Sequence, residues 1–429
     1  MTDSKENKLT NSENMVIEKE NRSTRINKVL VTVFSVVGSL LLGLGITVLL
    51  VAMWERFPVT GRVIISFLPM LLGQIGAIFT YIKKRDKVVW CEGAAMLWSI
   101  GVTATVGMFS SLFGLHLGAL NCLLIDALLV LPIIFFFNAS TPLAFYHAAS
   151  IAGSMGLYES LNSNIPAVCA IILTLIPGII FTIKNSKGGN ETRFECCKWI
   201  SVIAAVASAI CCGIVMESQS VLFMITGATL VCLYALSKED SWSSPFYLLG
   251  AGGTAALSVT TTCMALFEDW WESCEKLLIP ENFIGVGICV ALFAIGFIKG
   301  EKTFENNFNK TAFCGAGALS VVFVGLLSVF SKNNEPPVVL ALCLFAVTLI
   351  QAVTLIVKGA QERKYFALNI GLIMIIVLMF GSLTMFDMDL LVMGIMLIIS
   401  GLILFVANYA ITRSIKKEQD NKKVVQNNE

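Results

Sequence analysis

One carboxyl group stands in the middle of an apolar run. Asp126 lies in the sequence CLLIDALLV, near the centre of the hydrophobic stretch 117–137. A charge at the centre of a membrane helix costs at least about 2.5–3.5 kcal/mol on insertion scales, so such a residue faces the bundle interior or water. Two interpretations follow. Asp126 is a proton or cation site, or it is a neutral carboxyl that hydrogen-bonds a neighbouring helix.

A histidine opens a polar stripe in the next apolar stretch. Ser150, Ser154 and Tyr158 follow His147 at helical spacings of three and four residues. Such a stripe lines an aqueous path or makes ordinary hydrogen bonds between helices. At 1.5 Å per residue, His147 lies roughly 8 Å and Asp126 roughly 16 Å from the same membrane edge. Direct pairing of the two therefore requires helix tilt or a bridging water.

Glu92 is the third candidate for an intramembrane polar site. It begins a stripe that continues with Ser99, Thr103 and Ser110. A carboxylate near a helix N-terminus is stabilised by roughly 0.3–1 kcal/mol, and the basic turn KKRDK at 83–87 offers ion-pair partners. Glu92 therefore has either a structural or a functional role.

An aromatic and charged knot follows the first apolar run, in the sequence LLVAMWERFPVTGR at 49–62. Indole rings favour the headgroup zone of a bilayer, and proline turns the chain. The knot is therefore a membrane-interface anchor or a functional mouth. Its candidate residues are Trp54, Glu55, Arg56 and Arg62.

A second charged segment, FEDWWESCEK at 267–276, forms an acidic cluster that we expect on the outer side. Its carboxylates match one helical face and suit a divalent cation, a cationic ligand or a lipid-linked substrate. A solvated interfacial helix held by two tryptophans explains the same pattern. The four acids are Glu268, Asp269, Glu272 and Glu275.

The ninth apolar stretch, LGAGGTAALSVTTTC, is rich in glycine and small hydroxyl residues. Gly250, Thr254, Ser258 and Thr261 fall on one helical face. Small faces let helices approach closely, and transporters also use glycine in helices that are broken at the midplane. The sequence leaves both explanations open.

Composition decides which elements must position these residues. The chain has 429 residues, of which 56% are hydrophobic and only 14% charged, and its mean hydropathy is +0.80. Soluble domains carry about 25% charged residues, so this composition predicts a membrane protein whose surface contacts lipid hydrocarbon. The net charge of +1 offers no field for nucleic acid. The chain has thirteen cysteines, most of them within apolar runs, and only two histidines. This pattern predicts neither a metal site nor a cofactor.

We predict an all-α, polytopic transmembrane helix bundle of about 14 spans, with 12–14 as the range. Backbone polar groups in lipid must be satisfied within their own segment, which favours helices. Each predicted span is roughly 18–25 residues long, enough to cross a hydrocarbon layer of about 30 Å. The spans cover 29–53, 63–82, 93–114, 117–137, 142–161, 165–183, 198–216, 219–237, 245–267, 282–299, 312–331, 337–357, 366–386 and 389–411.

Lysine and arginine fix the predicted orientation. With a cytoplasmic N-terminus, almost all of the 30 basic residues fall in inner segments, whereas removing the weakest span, 142–161, reverses that bias. Both termini are therefore expected in the cytoplasm. The predicted regions are a disordered tail at 1–28, an amino-terminal membrane region at 29–161, the remaining bundle at 162–411 and a disordered tail at 412–429.

The amino-terminal region resembles a bacterial family, the domain of unknown function 2157, a set of predicted multi-span membrane proteins. The resemblance covers about residues 40–150. It depends on Trp54, Pro58, Glu92, Gly101, Gly107 and the stretch LLVLPIIFFFNASTPLAFYHAA at 128–149. It implies a membrane location and no established activity. The family often has a glutamine near the end of the third span, where this chain has Ser110 and Ser111.

Three classes of function remain, all in the bacterial cytoplasmic membrane with the lipid bilayer as partner. The first is transport of a small molecule or lipid-like solute, favoured by the span number and Asp126. The second is a non-enzymatic membrane scaffold or envelope-stress sensor. The third is an enzyme that acts on a lipid-linked substrate through the 268–275 carboxylates. The sequence contains no nucleotide-binding or hydrolase motif, and this disfavours an enzymatic function.

Overall fold

A computed structural model gives the architecture of the chain. It describes residues 56–84, 86–113, 119–186, 191–237, 244–265, 283–304, 308–330, 338–361 and 365–384. The secondary structure in these ranges is helical, without a strand. The all-α prediction is therefore confirmed for the described part of the chain.

Two compact units divide the chain, at residues 1–204 and 205–429. The first holds six described helices and the start of a seventh. They are α1 Val59–Ser66, α2 Leu68–Lys83, α3 Val88–Leu112, α4 Ala119–Phe137, α5 Thr141–Leu161, α6 Asn164–Ser186 and α7 Glu191–Val215, which continues into the second unit.

In the second unit, residues 245–265 form a helical segment of three parts. It begins with a single turn, Pro245–Tyr247, passes into a π-helix at Leu248–Gly252 and continues as α9. The remaining helices are α8 Gln219–Leu236, α9 Gly253–Ala265, α10 Phe283–Phe304, α11 Phe308–Phe330, α12 Val338–Gln361 and α13 Tyr365–Thr384.

Nine helices within the described ranges are long and apolar enough to cross a membrane. Large apolar side chains such as Leu128, Ile298 and Val339 are exposed on them, as hydrocarbon solvent requires. The chain is thus a multi-pass membrane protein. Nine of the fourteen predicted spans correspond to these helices, and three more, 142–161, 245–267 and 366–386, fall on described helices that are not among the nine. The remaining two, 29–53 and 389–411, lie outside the described residues.

Close packing organises the first unit. α4 and α5 form an antiparallel pair joined by a short corner, in which Asn138 adopts a left-handed conformation with φ 50°. A Cβ atom at Gly153 would lie only 2.5 Å from the backbone nitrogen of Leu124. Glycine at this position therefore allows the two backbones to touch, and it sets Leu124 opposite Gly153.

The second unit is built around α8, which is buried along most of its length. α10, α11 and the segment 245–265 all pack against it. A Cβ atom at Gly250 would lie 2.5 Å from the backbone nitrogen of Tyr234, so the π-helix approaches α8 at backbone contact. Close packing therefore accounts for Gly250, and the helix stays continuous through a short π-helical turn.

Candidate functional site

Glu92 binds the start of another helix. Its side chain is 2% exposed and accepts four hydrogen bonds at the N-terminus of α5. Oε1 accepts from the backbone nitrogen (2.8 Å) and hydroxyl (3.0 Å) of Ser140, and Oε2 from the backbone nitrogen (2.7 Å) and hydroxyl (2.6 Å) of Thr141. The carboxylate from α3 therefore caps α5, where the first backbone N–H groups have no partner inside their own helix.

Arg193 at the start of α7 joins this contact. Its Nε lies 3.8 Å from Oε1 of Glu92. The starts of α3, α5 and α7 thus meet at one end of the first unit. The sequence left a structural and a functional role open for Glu92 and suggested its own helix N-terminus or the turn 83–87 as partner, whereas the carboxylate contacts the starts of α5 and α7.

Asp126 lies in the interior of the first unit, on α4. It is 1% exposed, and its Oδ1 makes no hydrogen bond in the described part of the chain. The Thr103 side chain of α3 lies within hydrogen-bonding range of the carboxyl group. Its polar neighbour therefore comes from the stripe that begins at Glu92.

His147 is buried on α5, with 4% of its surface exposed. Neither ring nitrogen has a hydrogen-bond partner among the described residues. The ring packs edge-to-face on Tyr146 and against Gly178 of α6, where a methyl group would overlap the imidazole. Pro177, directly before that glycine, lacks the N–H that an α-helix interior needs, so α6 is weakened beside the imidazole.

The geometry brings Asp126 and His147 into neighbouring layers of one interior. Because Gly153 faces Leu124 in the antiparallel pair, Asp126 lies level with about residue 151. His147 is four positions from that level, or roughly 6 Å along the helix axes at 1.5 Å per residue. No direct hydrogen bond joins the two side chains in the described structure. The neighbours differ, because Asp126 has Thr103 of α3 beside it whereas the His147 ring lies against Gly178 of α6.

The hydroxyl groups of the two polar stripes donate within their own helices. Ser99 donates to the carbonyl of Ala95, Ser150 to that of His147 and Ser154 to that of Ser150. The O–H donors are therefore occupied, while oxygen lone pairs remain to accept. The stripes thus offer acceptors to a mobile proton donor such as water.

Only part of the predicted mouth lies in the described ranges. Arg56 is exposed, and Arg62 donates from Nε to the carbonyl of Phe57 at 2.9 Å, which closes the turn at Pro58. Trp54 and Glu55 lie outside the described residues, as does the acidic cluster Glu268, Asp269, Glu272 and Glu275.

A buried cationic cluster in the second unit was missed by the sequence analysis. Lys310 of α11 and Lys358 of α12 are 0% and 1% exposed, and both contact Tyr234 of α8. Lys310 donates from Nζ to the carbonyl and hydroxyl of Ser237, and its Nζ lies 5.2 Å from the Tyr234 ring centroid. Lys358 donates to the Tyr234 hydroxyl at 3.3 Å and lies 5.2 Å from the Tyr247 ring centroid. Lysines near helix ends usually reach the interface, so nothing in the sequence distinguished these two.

Metal-binding groups are absent from the described part of the chain, in that no three His, Cys, Asp or Glu side chains come together there. The twelve cysteines that the structure describes form no disulfide bond with one another.

Comparison with known proteins finds one family model that matches the amino-terminal part of the chain. Residues 2–143 match a family model described as "Predicted membrane protein (DUF2157)", which confirms the resemblance inferred for the amino-terminal region. The match includes Glu92 and Asp126 and ends before His147. No curated protein and no solved structure matches the chain.

Proposed function

We propose that this multi-pass protein, whose amino-terminal third matches a family of predicted membrane proteins, is a proton- or cation-coupled transporter of a small molecule or lipid-like solute. The observation that carries the proposal is the pair of buried ionisable side chains, Asp126 and His147, in the interior of the first unit. Ionisable groups in a membrane interior commonly mark ion pathways or proton relays.

The topology that accompanies this proposal has fourteen spans and both termini in the cytoplasm of a bacterium. The end of the first unit where Glu92 meets Arg193 is then cytoplasmic, because the basic segments 83–87 and 184–198 flank the same helix ends. Cysteine labelling of the two tails from each side of inverted vesicles tests this orientation. Tails on opposite faces would contradict it.

Energetics support a function for the pair. A buried polar group without a hydrogen bond costs about 1–3 kcal/mol relative to a satisfied one. Asp126 Oδ1 and both nitrogens of His147 carry that cost in the described structure. An apolar residue at either position would avoid it. Water molecules hydrogen-bonded to each group would remove the cost, and a chain of them would connect the two groups.

The chemistry of the relay follows from these atoms. A proton leaves the Asp126 carboxyl for a chain of water molecules, and the water at the far end of that chain gives a proton to a ring nitrogen of His147. The products are a carboxylate and an imidazolium, and the sum of charge is unchanged. The imidazolium then releases its proton to one side of the membrane and the carboxylate takes up a proton from the other side, which returns both groups to neutral and moves one proton across. The Ser150 and Ser154 hydroxyls donate within α5, so their lone pairs are available to accept hydrogen bonds from such waters.

A cleft in the first unit offers space for the solute. It has a volume of about 380 Å³ and lies among α2, α3 and α4. Trp98 and Val102 of α3 lie next in sequence to the polar stripe, and Leu129 of α4 is one turn from Asp126. Gln74 supplies the polar amide in an otherwise apolar wall. The lining suits a solute that is mostly apolar with one hydrogen-bonding group.

Proteoliposomes with an entrapped pH-sensitive dye test the proposal. A mixture of small metabolites and short-chain lipids is added outside, and solute-dependent proton movement is followed in the wild type, Asp126→Asn and His147→Ala. Glu159→Gln is the matched control, because Glu159 is an exposed carboxylate on α5. We expect movement in the wild type and control and its loss in both site variants. Equal movement in all four proteins would contradict the proposal.

A further inference from the structure

Thr103 of α3 is the polar residue beside the Asp126 carboxyl group, and its side chain hydrogen-bonds that group. Asp126 is 1% exposed, and its Oδ1 has no hydrogen-bond partner among the residues that the structure describes. Thr103 itself is partly buried. The contact between α3 and the carboxyl group therefore runs through the hydroxyl of Thr103.

The Thr103 hydroxyl makes only a long hydrogen bond within its own helix. Its Oγ1 lies 3.2 Å from the carbonyl oxygen of Ser99, whereas Ser99 donates to Ala95 at 2.8 Å. Hydrogen bonds of the O–H···O type are usually 2.5–3.0 Å long, so the bond to Ser99 is weak. In an α-helix the Ser99 carbonyl also accepts from the backbone N–H four residues later. The hydroxyl proton of Thr103 can therefore leave this carbonyl without orphaning it.

A hydroxyl has one hydrogen and two acceptor positions, so it suits both protonation states of a carboxyl group. A neutral carboxyl donates its own hydrogen to Oγ1 of Thr103, which keeps donating to Ser99. A carboxylate only accepts, and it needs a donor because a buried charge without a hydrogen bond is costly. Rotation of the Thr103 O–H from Ser99 to the carboxylate supplies that donor.

The titratable groups around Asp126 lie on α3, α4 and α5. His147 of α5 is roughly 6 Å from the level of Asp126 along the helix axes, and Cys122 lies one turn earlier on α4. Glu92 of α3 is eleven residues from Thr103, or roughly 16 Å along the helix, and its carboxylate is held at the start of α5. Thr103 is thus the hydrogen-bonding neighbour that α3 places at the carboxyl group.

We propose that Thr103 is the positioning residue of Asp126, whose hydroxyl accepts from the neutral carboxyl and turns to donate to the carboxylate. The carboxyl group then keeps one hydrogen bond before and after it releases its proton. Thr103 itself neither gains nor loses a proton. The inference rests on the proposed relay and adds to it a residue that stabilises the charged form.

Infrared spectroscopy of the reconstituted protein tests the contact. The C=O stretch of a protonated carboxyl moves to higher wavenumber when it loses a hydrogen bond, and the Asp126 band is the one that disappears in Asp126→Asn. We expect this band at higher wavenumber in Thr103→Val, which keeps the branched shape, and its return towards the wild-type position in Thr103→Ser. Thr103→Ala carries the same expectation as Thr103→Val if the latter does not fold.

Thr105→Val is the matched control, because it removes a hydroxyl from the same helix that has no hydrogen-bond partner among the described residues. Its Asp126 band should stay at the wild-type position. An unmoved band in Thr103→Val, or an equal movement in Thr105→Val, would overturn the proposal. So would spectra from acid to alkaline pH that contain no carboxyl band dependent on Asp126.

Proton movement in dye-loaded proteoliposomes tests the role in the relay. Losing one hydrogen bond to a charged group corresponds to a factor of roughly ten to a hundred, so we expect Thr103→Val to slow movement by that factor. Thr103→Ser and Thr105→Val should stay close to the wild-type rate.

The two measurements separate this inference from the relay itself. A moved band in Thr103→Val, together with proton movement that Asp126→Asn leaves unchanged, would support the contact and contradict the relay. Loss of movement in Asp126→Asn, together with a wild-type rate in Thr103→Val, would support the relay and overturn the role of Thr103.

Discussion

Removal of the Glu92 carboxylate should loosen the start of α5. Glu92→Ala takes the acceptor from four donors, of which the hydroxyls of Ser140 and Thr141 can turn to other acceptors. Their two backbone N–H groups remain buried, at about 1–3 kcal/mol each. Arg193 also loses its carboxylate at 3.8 Å. The expected loss of stability is about 3–5 kcal/mol, in the range for breaking a buried charged contact.

Glu92→Gln should be intermediate, at about 1–2 kcal/mol, because one amide oxygen still accepts while the NH₂ group opposes the donors of one residue. Glu159→Gln, on an exposed carboxylate of the same unit, should change stability by less than about 0.5 kcal/mol. Thermal unfolding in lipid nanodiscs, followed by tryptophan fluorescence, ranks the three. A Glu92→Ala protein that unfolds at the wild-type temperature would refute the capping role.

Substitutions at two further positions test the packing within each unit. Gly153→Ala should lower stability by about 1–3 kcal/mol, because its Cβ would lie 2.5 Å from the Leu124 nitrogen and force α4 and α5 apart. Unfolding of Ala152→Ser, a neighbouring small change, provides the comparison, and equal Tm values would contradict the close approach. Tyr234→Phe should cost about 1 kcal/mol through the lost hydroxyl, whereas Tyr234→Leu also removes the ring beside Lys310 and Lys358 and should cost at least about 2 kcal/mol. Equal unfolding of the two Tyr234 variants would show that the ring does not stabilise the lysines.

The helical architecture could be predicted because the hydrocarbon core constrains each apolar segment independently of the rest of the chain. An apolar run long enough to cross the bilayer must satisfy its backbone internally, and this holds for the run around Asp126 whatever its neighbours are. The interior position of Asp126 also follows from that rule, since a carboxyl group avoids lipid. Its burial on α4 agrees with this expectation.

Partners distant in sequence could not be predicted in the same way. Glu92 and Arg193 are about a hundred residues apart, and their contact depends on how α3, α5 and α7 pack. Lys310 and Lys358 resemble ordinary interfacial lysines until Tyr234 is placed between them. The π-helix at Leu248–Gly252 lies where the chain closely approaches α8, which glycine permits but does not specify. Tertiary contacts decide each of these cases.

The most direct test of the account is proton movement through Asp126. Dye-loaded proteoliposomes with the solute mixture outside should acidify when the wild type is present, and Asp126→Asn should reduce the rate to that of protein-free liposomes. Restoring a carboxylate by Asp126→Glu should recover part of the rate, while Glu159→Gln should keep all of it. Asp126→Asn that acidifies as fast as the wild type would contradict the proposed relay.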